Sequence, residues 1–241
     1  MHYFCSTWEY KAILVYIFMG SFFITYQNAG LSYGELVTSS FTHKIFLVVI
    51  LYPSFIAMFM NLYQYINKNY CLLLRIRDRK KYAQFCMHTV VFMSLFLFIH
   101  VVVIVLINCN ITPHADFKFT HNLGYDSPDF IVFLVAIMKV LLTVLGIGLF
   151  NLFLQFTIKR RKIVGVILMF SLTLLFFGDK FYPCGIFVMD LFNPGFQSHG
   201  YMLINHIWEL IVSGLIYFPI VFLLLYFGIL KSSKKIYIGV E

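Results

Sequence analysis

Two apolar runs, about Lys44 to Tyr65 and Phe85 to Ile107, are joined by a short segment holding Lys68, Arg75, Arg77, Arg79, Lys80 and Lys81 against one acid, Asp78. Each run is long enough to cross a bilayer, and a basic segment between two such runs marks the cytoplasmic side. These six bases are a third of the 18 Lys and Arg in the chain. The other residues are mostly hydrocarbon: 61% are hydrophobic and 12% charged, more apolar surface than one soluble core of 241 residues buries. The sequence therefore predicts a single all-α transmembrane domain over residues 1–241. The net charge of +8 does not indicate nucleic acid, because the bases gather at the ends of apolar runs, where they meet anionic headgroups.

Six spans are expected, at about 10–26, 44–65, 85–107, 130–158, 163–178 and 204–230. The first is read as a retained span, since no strongly basic region precedes it and no small-residue cleavage site follows. Pro53 sits inside the second, where a membrane helix tolerates it. Residues 108–128 hold Asn108, Asn110, Pro113, Gly124 and Pro128 and read as a loop. The fourth run exceeds what a bilayer requires, and the fifth, of 16 residues, falls short of it. The stretch after it is aromatic yet broken by Pro183, Gly185, Pro194 and Gly195. It suits interfacial or re-entrant half-helices within 181–203.

Charge then orients the spans. With the amino terminus cytoplasmic, the inner segments hold 14 bases and 3 acids, including Lys159 to Lys162 and Lys231, Lys234 and Lys235. The outer segments hold 3 bases (Lys44, Lys118, Lys180) and 6 acids, Glu35 and Asp116 among them. This split places both termini in the cytoplasm. Lys139 and Glu209 stay inside apolar runs. They lie 20 and 22 residues before Lys159 and Lys231, near the outer headgroups, where they could pair or each snorkel.

Signatures of chemistry are missing from the sequence. It holds no phosphate-binding Gly-x-x-x-x-Gly-Lys-Ser/Thr, no His-Glu-x-x-His and no Gly-x-Ser-x-Gly, so no catalytic residue is assigned. His114, Asp116, His121 and Asp126 are suitable metal ligands, but their spacing matches no ligand pattern and a solvated loop is the expectation; no metal is assigned. Of the five cysteines, Cys109 and Cys184 fall on the outer side, where free thiols are expected although a disulfide is chemically permitted. The 29 Phe and 16 Tyr suit an apolar cargo path and ordinary lipid contact equally.

Six spans, a basic amphipathic segment between the second and third, and a broken aromatic stretch between the fifth and sixth resemble the permease subunit of a type-2 ATP-binding-cassette exporter. Residues Leu74-Arg75-Ile76-Arg77-Asp78-Arg79-Lys80-Lys81-Tyr82 are similar to the Arg-Ile/Tyr-x-x-Arg-Lys/Arg-x-Trp/Tyr signature before the third span of small permeases in bacterial peptide and bacteriocin export or self-protection. The resemblance covers nearly the whole chain in topology and this one segment in motif. It implies that 66–82 is a coupling segment docking in a separate ATPase subunit, with Tyr70, Leu73 and Leu74 as an apolar patch and Arg75, Arg77 and Arg79 as charged contacts. A purely topogenic basic loop is the alternative. It also implies that Phe181, Tyr182, Pro183 and Phe192 belong to half-helices capping the outer end of a path. A second permease chain, identical or paralogous, would complete that path in the membrane of a bacterial cell. No cofactor would bind this chain directly; ATP and Mg would act in the partner. Residues 1–10 are shorter than the interface helix many members carry, which would leave ATPase contact mostly to 66–82. The expected cargo is a hydrophobic or amphipathic peptide. The remaining alternatives are a stand-alone membrane immunity or sensor protein and an intramembrane enzyme.

Overall fold

The computed structural model describes residues 7–43, 45–68, 78–117, 129–158, 160, 162–171 and 207–233, and among them it is helical with no strand. The first helix, α1, is Trp8–Gln27, started by Thr7, whose hydroxyl accepts from the Tyr10 N–H, and closed by Asn28, whose amide donates to the Ile24 carbonyl. Gly30 (φ 95°) then turns the chain through the left-handed region that side chains disfavour. Its N–H reaches the Pro113 carbonyl, and Tyr33 N–H reaches that of Asp116, fastening this turn to residues 113–116.

Residues 33–42 differ from their expected reading as an outer connection. They form a helix, α2 (Tyr33–Thr42), whose residues 34–41 are all buried. A capping box nucleates it: Glu35 N–H donates to Ser32 Oγ, and Ser32 N–H donates to a Glu35 carboxylate oxygen at 2.9 Å. Ser39 and Ser40 return their hydroxyls to the Leu36 carbonyl, so the helix buries its serines with their hydrogen bonds made. Glu35, expected among the solvent-facing acids, is 3% exposed.

The next helix opens with a π-helical turn, Phe46–Leu51, and continues as α3, Tyr52–Lys68. The cause lies at Pro53, which has no N–H and crowds the carbonyl four residues earlier; widening the helix just before it relieves both. Helix α4, Arg79–Ile111, is capped by the Asp78 side chain, which accepts from the Lys80 N–H, and its helical path ends two residues before Pro113. The remaining helices are α5 (Asp129–Thr157), α6 (Lys162–Ser171) and α7 (Ile207–Ser233). By length and composition, Phe46–Asn67, Arg79–Ile111 and Val140–Thr157 are long and apolar enough to cross a membrane.

Side-chain pairings fix helix directions. Tyr10 meets His100, the Asn108 amide donates to the Phe18 carbonyl, and the Thr25 and Thr112 hydroxyls lie 3.2 Å apart, a steady offset that makes α1 and α4 parallel. Phe41 with Phe133 and Tyr63 with Phe156 make the α2–α3 segment parallel to α5. Thr157 with Ser232 and Phe153 with Gly228, at the same offset, do so for α5 and α7. Helix α5 is central, touching α2, α3, α4 and α7. Three of these helices converge at Gly148, where a Cβ would lie 2.8 Å from Val90 and 3.0 Å from the Phe59 ring.

Candidate functional site at the basic end of the bundle

These directions gather the bases. The start of α1, the end of α3, the start of α4, the end of α5 and the end of α7 share one end of the bundle, which therefore carries Lys11, Arg79, Lys80, Lys81, Arg160 and Lys231. All six are exposed. The expected coupling segment starts from this end. Of its named residues, Arg79 is the first residue of α4 and faces solvent, while Tyr70, Leu73, Leu74, Arg75 and Arg77 lie outside the described residues.

The described part of the segment is a stem. The Tyr82 hydroxyl on α4 donates to Oδ1 of Asn67 on α3, tying the helices together on either side of the basic residues. The Tyr82 ring, 1% exposed, stacks on Phe156 of α5 at 6.2 Å and 19°, and Tyr63 of α3 packs on the same Phe156 at 5.9 Å. Cys86, one turn beyond Tyr82 on α4, is a free, fully buried thiol beneath them. A three-helix aromatic clamp thus holds the end of α3 and the start of α4 together against α5. Sequence reasoning placed Tyr82 only in the signature; its pairing with Asn67 has no local pattern to announce it.

At the opposite end, Tyr33, His114 and Phe117 pack ring against ring, His114 to Phe117 at 4.3 Å and Tyr33 to His114 at 5.7 Å. Burial raises the Tyr33 pKa, with Cys109 adding to it and Asn110 opposing it. His114 is thereby an aromatic packing residue; His121 and Asp126 lie outside the described residues, among which no metal-binding group of three ligands occurs. Cys109 is a free, buried cysteine, and Cys184 lies outside the described residues. In the break between α2 and the π-turn, the Phe46 N–H faces His43 Nδ1 at 3.5 Å, and burial lowers the His43 pKa, favouring the neutral ring that can accept there.

Lys139 is on α5 and Glu209 on α7, two neighbouring parallel helices. The offset set by Thr157 and Ser232 places Lys139 level with Gly214. Glu209 stands about 7 Å further from the basic end, from five residues at about 1.5 Å each. Phe181, Tyr182, Pro183 and Phe192 of the expected half-helices fall outside the described residues. Compared with protein-family models, curated proteins and solved structures, the chain matches none.

Proposed function

We propose that the chain is the permease subunit of an ATP-driven exporter in a bacterial cell membrane, with six spans and both termini cytoplasmic. It moves a hydrophobic or amphipathic substrate, a peptide by preference, out of the cytoplasm or inner leaflet. The observation that carries this reading is the basic end of the bundle, where the two helices that flank a short positively charged stretch of sequence are clamped together. Such an end faces the cytoplasm by the charge rule, and a rigid stem is what a segment needs in order to pass a partner's movement into the membrane. Ordered contacts on α3, α4 and α5 would transmit that movement, because Tyr82, Asn67 and Phe156 belong to all three. Energy comes from a separate ATPase with ATP and Mg, a second permease chain completes the path, and the half-helices at 181–203 cap its outer end.

Leu74→Asp tests the reading. A carboxylate in the apolar patch with Tyr70 and Leu73 removes a buried contact to the partner and adds a charge that must be desolvated, worth several-fold to a hundredfold in association. Expected is loss of substrate efflux from cells with unchanged membrane insertion. Unchanged efflux would leave the chain a stand-alone immunity or sensor protein; catalysis by the isolated chain without nucleotide would make it an intramembrane enzyme.

A further inference from the structure

We propose that the cleft between α4 and α7 is a binding site for one anionic phospholipid, its headgroup at the basic end of the bundle and an acyl chain along the groove. The inference rests on the membrane reading and is independent of transport. Two cavities follow one another along this helix pair, the lining passing from Lys80 to Gln84 on α4 and from Phe227 to Tyr226 on α7. The first, of about 550 Å³, is the mouth, lined by Arg79, Lys80 and Lys231, with Asp78 as the one acid among its described residues. The second, of about 680 Å³, runs from Gln84 and His88 to Leu95 on α4 and is walled by Phe222, Leu223 and Tyr226 on α7.

Their chemistry changes in the order a phospholipid requires. Three bases stand where a phosphate would sit. Asp78 offsets part of this charge, and its side chain is already engaged in capping Lys80 N–H. One and two turns deeper, Gln84 and His88 supply hydrogen-bonding groups toward the level of the glycerol esters. Beyond them the walls are apolar. From Lys80 to Leu95 the cleft runs about 22 Å at 1.5 Å per residue, enough for a headgroup and the acyl depth of one leaflet. An ordinary lipid-facing helix surface is convex and has no charged mouth. Here a concave apolar groove ends in concentrated positive charge, which favours an anionic over a zwitterionic headgroup.

The test is native mass spectrometry of the full chain, delipidated in mild detergent. Phosphatidylglycerol and phosphatidylcholine of identical acyl chains are titrated in, with inorganic phosphate as a competitor. The wild-type chain is expected to bind one phosphatidylglycerol about tenfold more tightly than phosphatidylcholine, since each base near an anionic headgroup contributes roughly fivefold and Asp78 cancels part. Lys231→Gln alone should reduce that preference about fivefold, and Arg79→Gln with Lys80→Gln and Lys231→Gln should abolish it. Val91→Trp, which fills the groove, should weaken both lipids alike. Size-exclusion profiles matching wild type exclude misfolding, and Lys231→Gln, one exposed residue, keeps the test decisive if the triple variant aggregates. Equal affinity for the two lipids would overturn the proposal, as would failure to retain any. Displacement of phosphatidylglycerol by millimolar phosphate would make this a free-anion site instead. Dimers that form only when the groove is empty would make it an interface between two copies of this chain.

Discussion

Gly148→Leu is expected to destabilise the bundle by about 3 kcal/mol, at the upper end of overpacking costs, because the new side chain has nowhere to go. Its Cβ alone would meet Val90 at 2.8 Å and the Phe59 ring at 3.0 Å, on two different helices. Neither can yield easily. Val90 is 5% exposed and Phe59 2%, and the Phe59 ring stacks on Phe55 at 6.1 Å. The helices α3, α4 and α5 would have to separate, and with them the clamp at the basic end. Lipid offers no compensating hydrophobic gain, since helix association in a bilayer depends on close packing. Gly165→Ala is the control: its Cβ would sit 3.4 Å from the end of the flexible Met60 side chain, an ordinary contact. Thermal unfolding in detergent, read by monodisperse recovery, should fall by on the order of 10 °C for Gly148→Leu and stay at wild type for Gly165→Ala.

The second large effect separates packing from direction at the stem. Tyr82→Ala removes a buried ring stacked on Phe156 and leaves a cavity among three helices, which costs about 3 kcal/mol. Tyr82→Phe keeps the ring and its stacking and loses the hydroxyl's hydrogen bonds to Asn67 and Cys86, about 1 kcal/mol for each. If the stem aims the basic segment at a partner, Tyr82→Phe should lower efflux several-fold while its unfolding temperature moves by only a few degrees. Tyr82→Ala should lose both. Equal efflux for Tyr82→Phe and wild type would reduce this residue to a packing role.

What was legible in the sequence was whatever a long apolar run announces. The helices α1, α3, α4, α5 and α7 lie where hydrocarbon runs between polar ends, because a helix is the way such a run satisfies its backbone in lipid. Helix α2 was hidden, since its serines and Glu35 read as a solvated connection. The local signal was Ser32 and Glu35 at capping-box spacing, ahead of Leu36 and Val37. Helix α4 begins at Arg79, six residues before its expected start at Phe85, because Asp78 caps it and carries a helical turn through the bases. Pairings such as Tyr82 with Asn67, or Gly148 against Val90 and Phe59, were unreadable: they depend on helix register, which hydropathy does not encode. Charge nonetheless anticipated the basic end, because bases concentrated at alternate span boundaries come together in any bundle whose successive spans reverse.

The most direct measurement is affinity purification of the chain from its native membrane in mild detergent, beside a variant carrying Arg75→Ala, Arg77→Ala and Arg79→Ala, with bound proteins identified by mass spectrometry. The account predicts that an ATP-binding-cassette ATPase accompanies the wild-type chain and is lost from the variant, while both insert equally. An ATPase absent from both preparations, with insertion intact, would contradict it and leave a membrane protein that acts without that partner.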